Sequence, residues 1–543
     1  MSSVDTILFL LLAVVVSGSL ARLTRLPLPL IQVALGAAIA LSVVPTVELD
    51  PHLFFLLFLP PLLFLDGWRI PKDDLLRDRA TVLELAIGLV ILTVVGVGFM
   101  IHWMIPAMPL PVAFALAAVV SPTDPIAVSA IAARAPIPKR VMHILEGESL
   151  LNDASGLVCM RFAVAAMLTG SFVIQEAIMT FAWLAIGGVA IGVGFTWAVS
   201  TAKGWITSRL GEDTGGQILI SLLIPFGAYI LAEHFHCSGI LAAVAAGVTM
   251  GFTEQTGRAQ AVTRVRRAAV WDTVQFAANG IIFVLLGEQM PGLLDKASET
   301  VRATGHSEPW WLLVYILAIS LALGTMRFLW VWTSLRLTIF KARRRGEKPP
   351  RVSLRLVAAM SLAGVRGAIT LAGVLTLPLA LNDGTPFPAR DLAILLAGGV
   401  ILVSLVVASV GLPRVLKGLE LPPEPSHQAE VDQARAAAAH AAIQAIEAAQ
   451  HEVSAGRTDA DLYIDAASRI MELYRERIDG RLQSPEAAEL GRKLEKIERQ
   501  LRLVGLKAER DEIFRRARAR QIEDEQARKL IRDIDLLEAR YAG

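Results

Sequence analysis

The apolar residues of this chain stand in long continuous stretches up to about residue 420, and polar residues separate these stretches instead of alternating with them. Most stretches are roughly 17 to 25 residues long, the length that crosses a hydrocarbon core as an α-helix. Strands of an outer-membrane barrel would alternate apolar and polar residues over shorter segments. The pattern predicts an all-α polytopic membrane protein with thirteen spans, at residues 4–21, 28–46, 51–67, 80–103, 110–133, 140–168, 172–200, 215–233, 238–253, 269–290, 309–336, 353–380 and 391–413.

The distribution of Lys and Arg between the spans predicts the orientation, because short cytoplasmic loops are enriched in these residues. Every second loop is basic, ending with the dense segment KARRRGEKPPR at residues 341–351, and the loops between them carry few basic residues. We expect a multi-pass protein of the cell (inner) membrane, with the N-terminus outside and the C-terminus in the cytoplasm.

The composition changes after residue 420. The segment LPPEPS, residues 421–426, is a predicted linker, and the remaining chain is rich in Ala, Glu, Arg and Lys. Leu and Ile at helical spacing among charges of both signs predict solvated helices. We expect a transmembrane domain at residues 1–420 and a cytoplasmic helical domain at residues 421–543. The sequence leaves the role of the second domain open between an inert appendage and a regulatory or dimer-stabilising element.

The overall composition supports a membrane protein. The chain is 54% hydrophobic, and its mean hydropathy of +0.54 is far above that of a soluble domain. The formal net charge of +2 conceals the segregation of charge between loops and gives no reason to expect a nucleic-acid partner. No motif indicates a cofactor, and membrane lipid is the partner that the composition itself implies.

Two predicted spans contain helix-breaking residues. Span five holds Pro122 and Pro125, and span twelve holds the glycine-rich segment SLAGVRGAITLAG. The two spans are seven apart and therefore run in opposite directions. Interrupted helices at corresponding positions of two opposed halves are typical of inverted-repeat transporters with a site near the bilayer midplane. We therefore expect two broken, crossing helices at the functional site.

Ionisable residues inside the spans are candidate functional residues, because each costs about 2.5 to 3.5 kcal/mol at the centre of a membrane helix. Asp153 is the strongest candidate. Ser149 lies four residues before Asp153 and shares its helix face, with Asn152 beside them. A carboxylate and a hydroxyl supply the oxygen ligands that hard cations prefer, and a buried carboxylate also binds protons. One group can therefore hold either a proton or a metal ion.

Asp124 and Asp66 each have two candidate roles. Asp124, between two prolines, can neutralise the N-terminal ends of the broken helices or bind the cation directly. Thr123 beside it adds a hydroxyl and a carbonyl group that the prolines leave without a helical partner. Asp66 ends the segment LPPLLFLD near a predicted interface, and it either faces that interface or reaches the ion from the edge of the site.

The two arginines inside the spans need counter-ions, because an unpaired guanidinium in the membrane is costly. Glu148, in the sixth span, is the natural partner of Arg327 in span eleven. The pair would hold the geometry of the two spans and would not carry transported charge. Arg366, in the broken span twelve, could pair with Glu148 instead or line the cytoplasmic entrance.

Four motifs in this order resemble a known family. SPTDP at residues 121–125, ESLLND at residues 148–153, the arginine of span eleven and GVRG at residues 364–367 resemble NhaP-like sodium/proton antiporters. These belong to the monovalent cation:proton antiporter superfamily and are bacterial relatives of sodium/hydrogen exchangers. The resemblance covers the predicted transmembrane domain, and it implies a homodimer of thirteen-helix subunits with elevator-type alternating access.

The resemblance also implies roles for the site residues. Asp153 is then the carboxylate that binds cation and proton, and Ser149, the Thr123 carbonyl and Asp66 are further ligands. Asn152 stands where electrogenic relatives carry a second aspartate, which implies electroneutral exchange of one Na⁺ for one H⁺. Many relatives have Glu at the position of Asp66, and the aspartate here has a shorter reach toward the ion.

Other function classes fit the sequence less well. An intramembrane aspartic protease needs two facing aspartates, and the GxGD segment of such enzymes does not occur in the chain. A cation channel needs a selectivity filter, which nothing in the chain resembles. We expect a secondary transporter and no enzyme. A K⁺/H⁺ or broad monovalent cation/H⁺ antiporter stays the alternative, because the same oxygen ligands suit any alkali cation.

Overall fold

The structure is a computed structural model that describes residues 3–24, 26–41, 51–72, 79–124, 128, 139–170, 174–254, 260–303, 310–344, 354–417, 428–454, 460–482 and 485–542. Pro125 and the predicted linker at residues 421–426 lie outside these residues. Within them, every regular element is a helix, and the one β-type pairing is an isolated bridge between Ala380 and Pro386. The all-α class predicted from the apolar stretches is confirmed.

The chain divides into two compact units, and the first, Met1–Glu420, consists of apolar helices. Seven described helices are long and apolar enough to cross a bilayer, and four shorter apolar helices accompany them. Large side chains such as Leu12, Ile186 and Leu321 are more than half exposed, as expected of residues that face lipid. The protein is a multi-pass membrane protein, while the count of thirteen spans stays a prediction.

The helices of the first unit have the following bounds. They are α1 Ser3–Thr24, α2 Leu28–Ala40, α3 Pro51–Arg69, α4 Arg79–Leu83, the π-helix Glu84–Leu89, α5 Val90–Met104, α6 Leu110–Val120, α7 Lys139–Thr169, α8 Ile174–Leu210, α9 Thr214–His234, α10 Gly239–Glu254, α11 Ala261–Ala303, α12 Trp311–Arg344, α13 Leu354–Leu362, α14 Ala368–Leu375 and α15 Arg390–Leu416.

Packing divides these helices into two groups. In the first helix group, α1–α3 pack mainly with α8–α11, and in the second helix group, α4–α7 pack mainly with α12–α15. Glycines let the backbones of α2 and α11 approach closely, because Gly36 faces the Val284 carbonyl and Gly287 faces the Val33 carbonyl. A Cβ atom at either glycine would overlap the facing backbone. The two groups meet along α3, α7, α11, α14 and α15.

The turn between α8 and α9 shows how the sequence sets helix ends. Gly211, directly after α8, has a φ of +85°, a left-handed conformation that glycine adopts without strain at a helix C-terminus. The Asp213 carboxylate accepts from the N–H groups of Gly215 and Gly216, each at 3.0 Å. This carboxylate caps the first turn of α9. The two helices are therefore joined by a short, defined turn.

Two helix breaks face one another in the second helix group. Residues 121–124, after α6, are non-helical, in part because Pro122 has no N–H to donate. Residues 363–367 separate α13 from α14, so the predicted break in span twelve is confirmed. The two breaks touch, because the N–H of Asp124 donates to the Val365 carbonyl at 2.7 Å.

The fourth predicted span contains a π-helical turn, Glu84–Leu89, that the apolar pattern does not predict. Such a turn disturbs the regular hydrogen bonding of the helix around it. The Ser155 hydroxyl of α7 donates to the Ala86 carbonyl within the turn at 2.6 Å. This bond ties α7 to the π-helical turn two residues after Asp153.

The described residues of the second unit, Leu421–Gly543, form four helices that pack in chain order. Their exposed positions hold charged side chains and also large apolar ones, among them Leu462, Leu473 and Leu536. Within one helix, hydrogen bonds from Arg515 and Arg516 lower the pKa of Glu512 to about 2. The helices are α16 Gln428–Ser454, α17 Ala460–Leu482, α18 Pro485–Arg518 and α19 Asp524–Ala542.

Candidate functional site

Asp153 lies near the middle of α7, and its side chain is only 3% exposed. Ser149 is 4% exposed, and its hydroxyl donates to Asp153 Oδ2 at 3.4 Å. The two side chains share one face because four residues make about one turn of α-helix. A carboxylate and a hydroxyl therefore face the same space, as the sequence spacing predicts.

That space is a small cavity of about 20 Å³. A single water molecule occupies roughly 10–15 Å³ of such space, so the cavity holds about one particle of that size. Within the described residues, no group of three or more His, Cys, Asp or Glu side chains is arranged to hold a metal ion by itself. A cation here would rely on mixed oxygen ligands. The polar side chains that line the cavity are those of Asp66, Thr123, Asp124, Ser149, Asp153, Asn279 and Thr370.

The lining comes from both helix groups. Asp66 on α3 and Asn279 on α11 belong to the first helix group. Asp153 on α7, the break at residues 121–124 and the start of α14 belong to the second. The cavity therefore lies where the two groups meet, and its ligand set depends on how they are aligned.

The electrostatic surroundings of Asp153 are acidic. In the part of the chain that the structure describes, neither Asp153 nor Asp66 forms an ion pair with Lys, Arg or His. The charged side chains that act on Asp153 are the carboxylates of Asp66, Asp124 and Glu148. A bare carboxylate is poorly solvated in such a place, and like charges nearby increase the cost. Binding of a proton or a cation removes that cost.

The position of the Asp124 side chain is compatible with both of its candidate roles, that of a helix cap and that of a cation ligand. Its carboxylate contacts Gly367, the N-cap residue of α14, so closely that a Cβ atom at Gly367 would overlap it. A carboxylate at this position meets the positive end of the helix dipole. The same side chain lines the cavity, beside Thr123.

Asn152 joins α7 to the break after α6. Its side chain is 1% exposed, and Nδ2 donates to Thr123 Oγ1 at 3.1 Å and to Glu148 Oε1 at 3.5 Å. An amide neither gains nor loses a proton near neutral pH. Asn152 therefore positions the site without adding a titratable charge beside Asp153.

Glu148 and Arg327 form a buried ion pair between α7 and α12, with exposures of 0% and 2%. Arg327 Nη2 donates to Glu148 Oε2 at 2.8 Å, and Nη1 donates to Oε1. Arg327 Nε donates to the Met360 carbonyl at 3.1 Å. Both carboxylate oxygens of Glu148 accept from one guanidinium, the bidentate geometry that makes such pairs strong.

Arg366 contacts backbone groups at both helix breaks, an arrangement that was not considered from the sequence. Arg327 binds both oxygens of Glu148, and Arg366 is 6% exposed. Its Nε donates to the Val120 carbonyl at 2.9 Å, and its Nη1 donates to the Gly364 carbonyl. Broken helices leave terminal carbonyls without partners, and a guanidinium has five donors. Arg366 therefore stabilises both helix breaks.

Six lining residues were not among the predicted site residues: Leu62 on α3, Asn279 on α11, Gly367 directly before α14, and Ala368, Ile369 and Thr370 at the start of α14. Asn279 did have a signal, because it interrupts the apolar stretch FAANGIIFVLLG with an amide that is costly to bury without a partner. Leu62 and Thr370 have no comparable signal, because both residue types are ordinary in membrane helices.

Comparison with known proteins gives consistent matches. A family model described as "Sodium/hydrogen exchanger, transmembrane" matches residues 8–418. The chain is 42% identical over 547 residues to the uncharacterized Na⁺/H⁺ exchanger YjcE of Escherichia coli, and the match covers 98% of each chain. It is 37% identical over 550 residues to the sodium, potassium, lithium and rubidium/H⁺ antiporter of Bacillus subtilis, covering 99% of this chain and 78% of the relative.

A solved structure shares the fold. The sodium proton antiporter of Methanocaldococcus jannaschii at pH 8 matches with a TM-score of 0.60 and 19% sequence identity. The match covers 77% of this chain and 98% of that chain. At this identity the likeness establishes the shared architecture of the first unit's helices and nothing further.

Proposed function

The chain belongs to the sodium/hydrogen exchanger family, and we propose that it exchanges one Na⁺ for one H⁺ across the cell membrane at Asp153. The observation that carries the proposal is the buried Asp153 carboxylate, which lines a cavity with room for about one small particle. Ser149, the Thr123 carbonyl and Asp66 are further ligands, and the Asn279 side chain lines the same cavity and adds a neutral polar group to the set. A cation and a proton that use the same carboxylate exclude each other, so the site alternates between them.

Coupling follows from the cost of a bare charge. A carboxylate that crosses an apolar barrier without a counter-charge is costly, whereas one that carries a proton or Na⁺ is neutral. The loaded site therefore changes its side of exposure, and the empty site does not. No separate gate is needed to prevent uncoupled leak of either ion.

The movement that changes access is a displacement of one helix group relative to the other. Asp66 and Asn279 stay with the first helix group, while Asp153 and the two breaks move with the second, so the ligand set opens as the groups slide. We place this elevator-type movement in a homodimer, with the N-terminus outside and the second unit in the cytoplasm. The Glu148–Arg327 pair remains closed throughout and holds α7 to α12.

The proposed one-to-one stoichiometry depends on Asn152. With an amide at this position, Asp153 is the carboxylate on its face of α7 that exchanges a proton for the cation. Each cycle then moves one positive charge in each direction and no net charge. A valinomycin clamp of the membrane potential in proteoliposomes tests this directly, because electroneutral exchange proceeds at the same rate with and without the clamp.

The test of function is Na⁺-driven proton movement in proteoliposomes that contain the purified protein and a pH-sensitive dye. Wild-type protein is expected to acidify or alkalinise the lumen according to the direction of the Na⁺ gradient. Asp153→Asn keeps the shape of the side chain and removes its charge, and we expect at least about a hundredfold loss of rate. Normal exchange by this variant would contradict the proposal.

Asp272→Asn is the matched control. Asp272 is also an aspartate in a helix of the first unit, but it is 65% exposed and pairs with Arg69. We expect this variant to exchange Na⁺ and H⁺ at close to the wild-type rate. Elution profiles of both variants on size-exclusion chromatography then separate loss of function from loss of fold.

The relatives also favour a second candidate function. Two relatives, at 43% and 37% identity, are described as sodium, potassium, lithium and rubidium/H⁺ antiporters. Oxygen ligands alone do not exclude any of these cations, so a broad monovalent cation/H⁺ exchange is the alternative. The same assay with Na⁺, K⁺, Li⁺ and Rb⁺ at equal concentrations distinguishes the two: a response to Na⁺ and Li⁺ alone supports the narrower function.

A further inference from the structure

Helix α18 of the second unit has an exposed apolar stripe along one face. The stripe repeats at alternating steps of three and four residues, which are the a and d positions of a coiled-coil heptad. Its large exposed side chains are Leu494, Ile497, Leu501 and Val504, at 54%, 44%, 67% and 68% exposure. In the sequence the same spacing also includes Ala487, Leu490 and Ala508. We call these positions, which extend over about three heptads, the heptad stripe.

The opposite face of α18 is already covered by α19. The Leu506 side chain on that face is 8% exposed. Arg502 Nη1 donates to the Tyr541 hydroxyl at 3.1 Å, and Arg510 Nε pairs with Asp535 Oδ1 at 3.0 Å. In the heptad, Arg502, Leu506 and Arg510 hold b, f and c positions, which lie opposite a and d. The contact with α19 therefore leaves the heptad stripe uncovered.

A stripe of this kind indicates an interaction surface. Single exposed apolar side chains are ordinary, whereas a continuous apolar row on one helix face marks a site of association. Helix α18 also packs with α17, and the four large side chains remain exposed after both contacts. Removing them from water is the main favourable term that a partner would gain.

The charges beside the heptad stripe are complementary to those of an identical helix. Lys493 holds a g position, and Glu498, five residues later, holds the following e position. In a parallel coiled coil, g of one helix faces the following e of the other, so Lys493 meets Glu498 of a second copy. Lys507 and Glu512 repeat this arrangement two heptads later. An antiparallel pair would instead place lysine near lysine and glutamate near glutamate.

The width of the heptad stripe favours two helices over a larger number. Between residues 490 and 508, the e and g positions hold only Gly, Lys, Glu and Gln, so the large apolar residues of the uncovered face are confined to a and d. That narrow pattern is the one expected of a coiled-coil seam. Additional helices would also enclose e and g, where Lys493 and Glu498 would lose hydration at a cost.

We propose that the heptad stripe joins α18 to the same helix of a second copy of this chain, in a parallel, two-stranded coiled coil. Leu494, Ile497, Leu501 and Val504 of each copy pack against the same residues of the other. Lys493 and Glu498 hold the two helices parallel and in register. The proposal does not depend on which ions the first unit exchanges.

The experiment is disulfide crosslinking of the full-length protein in proteoliposomes. Leu494→Cys and Val504→Cys lie ten residues apart, and only a parallel pair in register brings each cysteine close to its own counterpart. We expect both variants to form covalent dimers under mild oxidation, as seen by non-reducing electrophoresis. Lys496→Cys, at an exposed c position outside the seam, is the matched control. We expect it to crosslink at least about fivefold less, because a disulfide requires closely spaced Cα atoms.

Cys159 and Cys237 of the first unit are accounted for by the wild-type protein, which we expect to give no covalent dimer under the same conditions. The cysteine variants change exposed residues outside the Asp153 cavity. We therefore expect their Na⁺/H⁺ exchange before oxidation to equal that of the wild-type protein. Crosslinking and exchange are measured separately, so failure of one proposal is distinguishable from failure of the other.

Charge reversal tests the register. In the Val504→Cys background, Lys493→Glu places like charges beside Glu498 of the second copy, and we expect about threefold less crosslinking, as for one exposed pair. Adding Glu498→Lys restores the opposite charges and is expected to restore crosslinking. A double variant that crosslinks no better than Lys493→Glu would contradict the assigned register.

Three outcomes would overturn the proposal. The first is crosslinking of Leu494→Cys and Val504→Cys at no more than the level of Lys496→Cys. The second is crosslinking only when the two seam variants are mixed, which would indicate antiparallel helices. The third concerns the number of copies, because Leu at a with Ile or Val at d also suits four strands. Light scattering that finds four copies in the wild-type protein and two in a Leu501→Glu variant would exclude a two-stranded seam.

Discussion

Glu148 and Asp153 lie five residues apart on α7, and their exposures are 0% and 3%, yet their surroundings are opposite. Arg327 binds both oxygens of Glu148. Asp153 instead lines a cavity together with two further carboxylates, and it forms no ion pair in the part of the chain that the structure describes. In the proposed function, the guanidinium partner makes the first carboxylate structural, and the second carboxylate, which has none, binds the transported ion.

The largest expected effect comes from breaking the pair. Arg327→Ala leaves Glu148 charged and buried without its partner, and removal of one member of a buried pair typically costs about 3–5 kcal/mol. We expect a large fall in the melting temperature and in the yield of folded protein. Thermal unfolding in detergent measures the first, and the monodisperse peak on size-exclusion chromatography measures the second.

Replacing the whole pair sharpens the comparison. In the double variant Glu148→Met with Arg327→Leu neither member of the pair is left as an unpaired buried charge, and such replacements are often close to neutral in stability. We expect most of the stability and some Na⁺/H⁺ exchange to return. A double variant as unstable as Arg327→Ala would show that the pair contributes more than mutual neutralisation.

The second prediction concerns the helix breaks beside the cavity. Gly367→Ala places a methyl group on the Asp124 carboxylate, and overpacking of this kind costs about 1–3 kcal/mol. We expect a lower melting temperature and slower exchange. Gly324→Ala in α12 is the matched control, because nothing lies within 4 Å of the added group. Equal effects of the two variants would mean that the contact with Asp124 is unimportant.

Part of this arrangement follows from sequence and part does not. Ser149 and Asp153 could be paired because helical spacing alone sets their common face. Asn279 joins them from a helix far along the chain, and it does so because α11 packs against α14 and α15 of the second helix group. Tertiary contacts of that kind leave no trace in a local pattern.

The two helix breaks also show that the sequence predicts local features better than tertiary contacts. Proline and glycine predicted where the two spans are interrupted, but not where the freed carbonyl groups find donors. Arg366 supplies donors to Val120 and Gly364 on two different segments, so its role exists only once the breaks have crossed. The π-helical turn at Glu84–Leu89 was also unpredictable, because its residues after Glu84 have the same apolar character as the α-helix around it.

Asn279 gives the third prediction, a smaller one. It lines the Asp153 cavity from the first helix group, so Asn279→Ala removes one neutral polar group from the ligand set. We expect the apparent KM for Na⁺ to rise about fivefold, the effect of roughly 1 kcal/mol, with little change in melting temperature. Ser320→Ala on α12 is the control, because the Ser320 hydroxyl donates within its own helix to the Ile316 carbonyl. An unchanged KM would exclude Asn279 from the ligand set.

The smallest effect is expected at Glu512, where a carboxylate also has arginine partners but is exposed to water. Hydrogen bonds from Arg515 and Arg516 lower the pKa of Glu512 to about 2. A lowered pKa means that any stabilisation is present above the ordinary pKa of glutamate and is lost as the pH falls toward 2. Between roughly pH 6 and 9, the Glu512→Gln variant should therefore have the same melting temperature as the wild-type protein at each pH. The Arg327→Ala variant, in contrast, should melt at a lower temperature. A marked, pH-dependent change would contradict the distinction between buried and exposed pairs.

The central claim is that one carboxylate, Asp153, is shared in turn by a proton and a cation. The most direct test is the apparent KM for Na⁺, measured by ²²Na⁺ uptake into proteoliposomes with the same pH on both sides, over a series of pH values. Competition for one group predicts that, at acidic pH, KM rises about tenfold for each unit of pH decrease, while the maximal rate stays constant. A KM that is independent of pH, with a maximal rate that falls as protons are added, would contradict the claim.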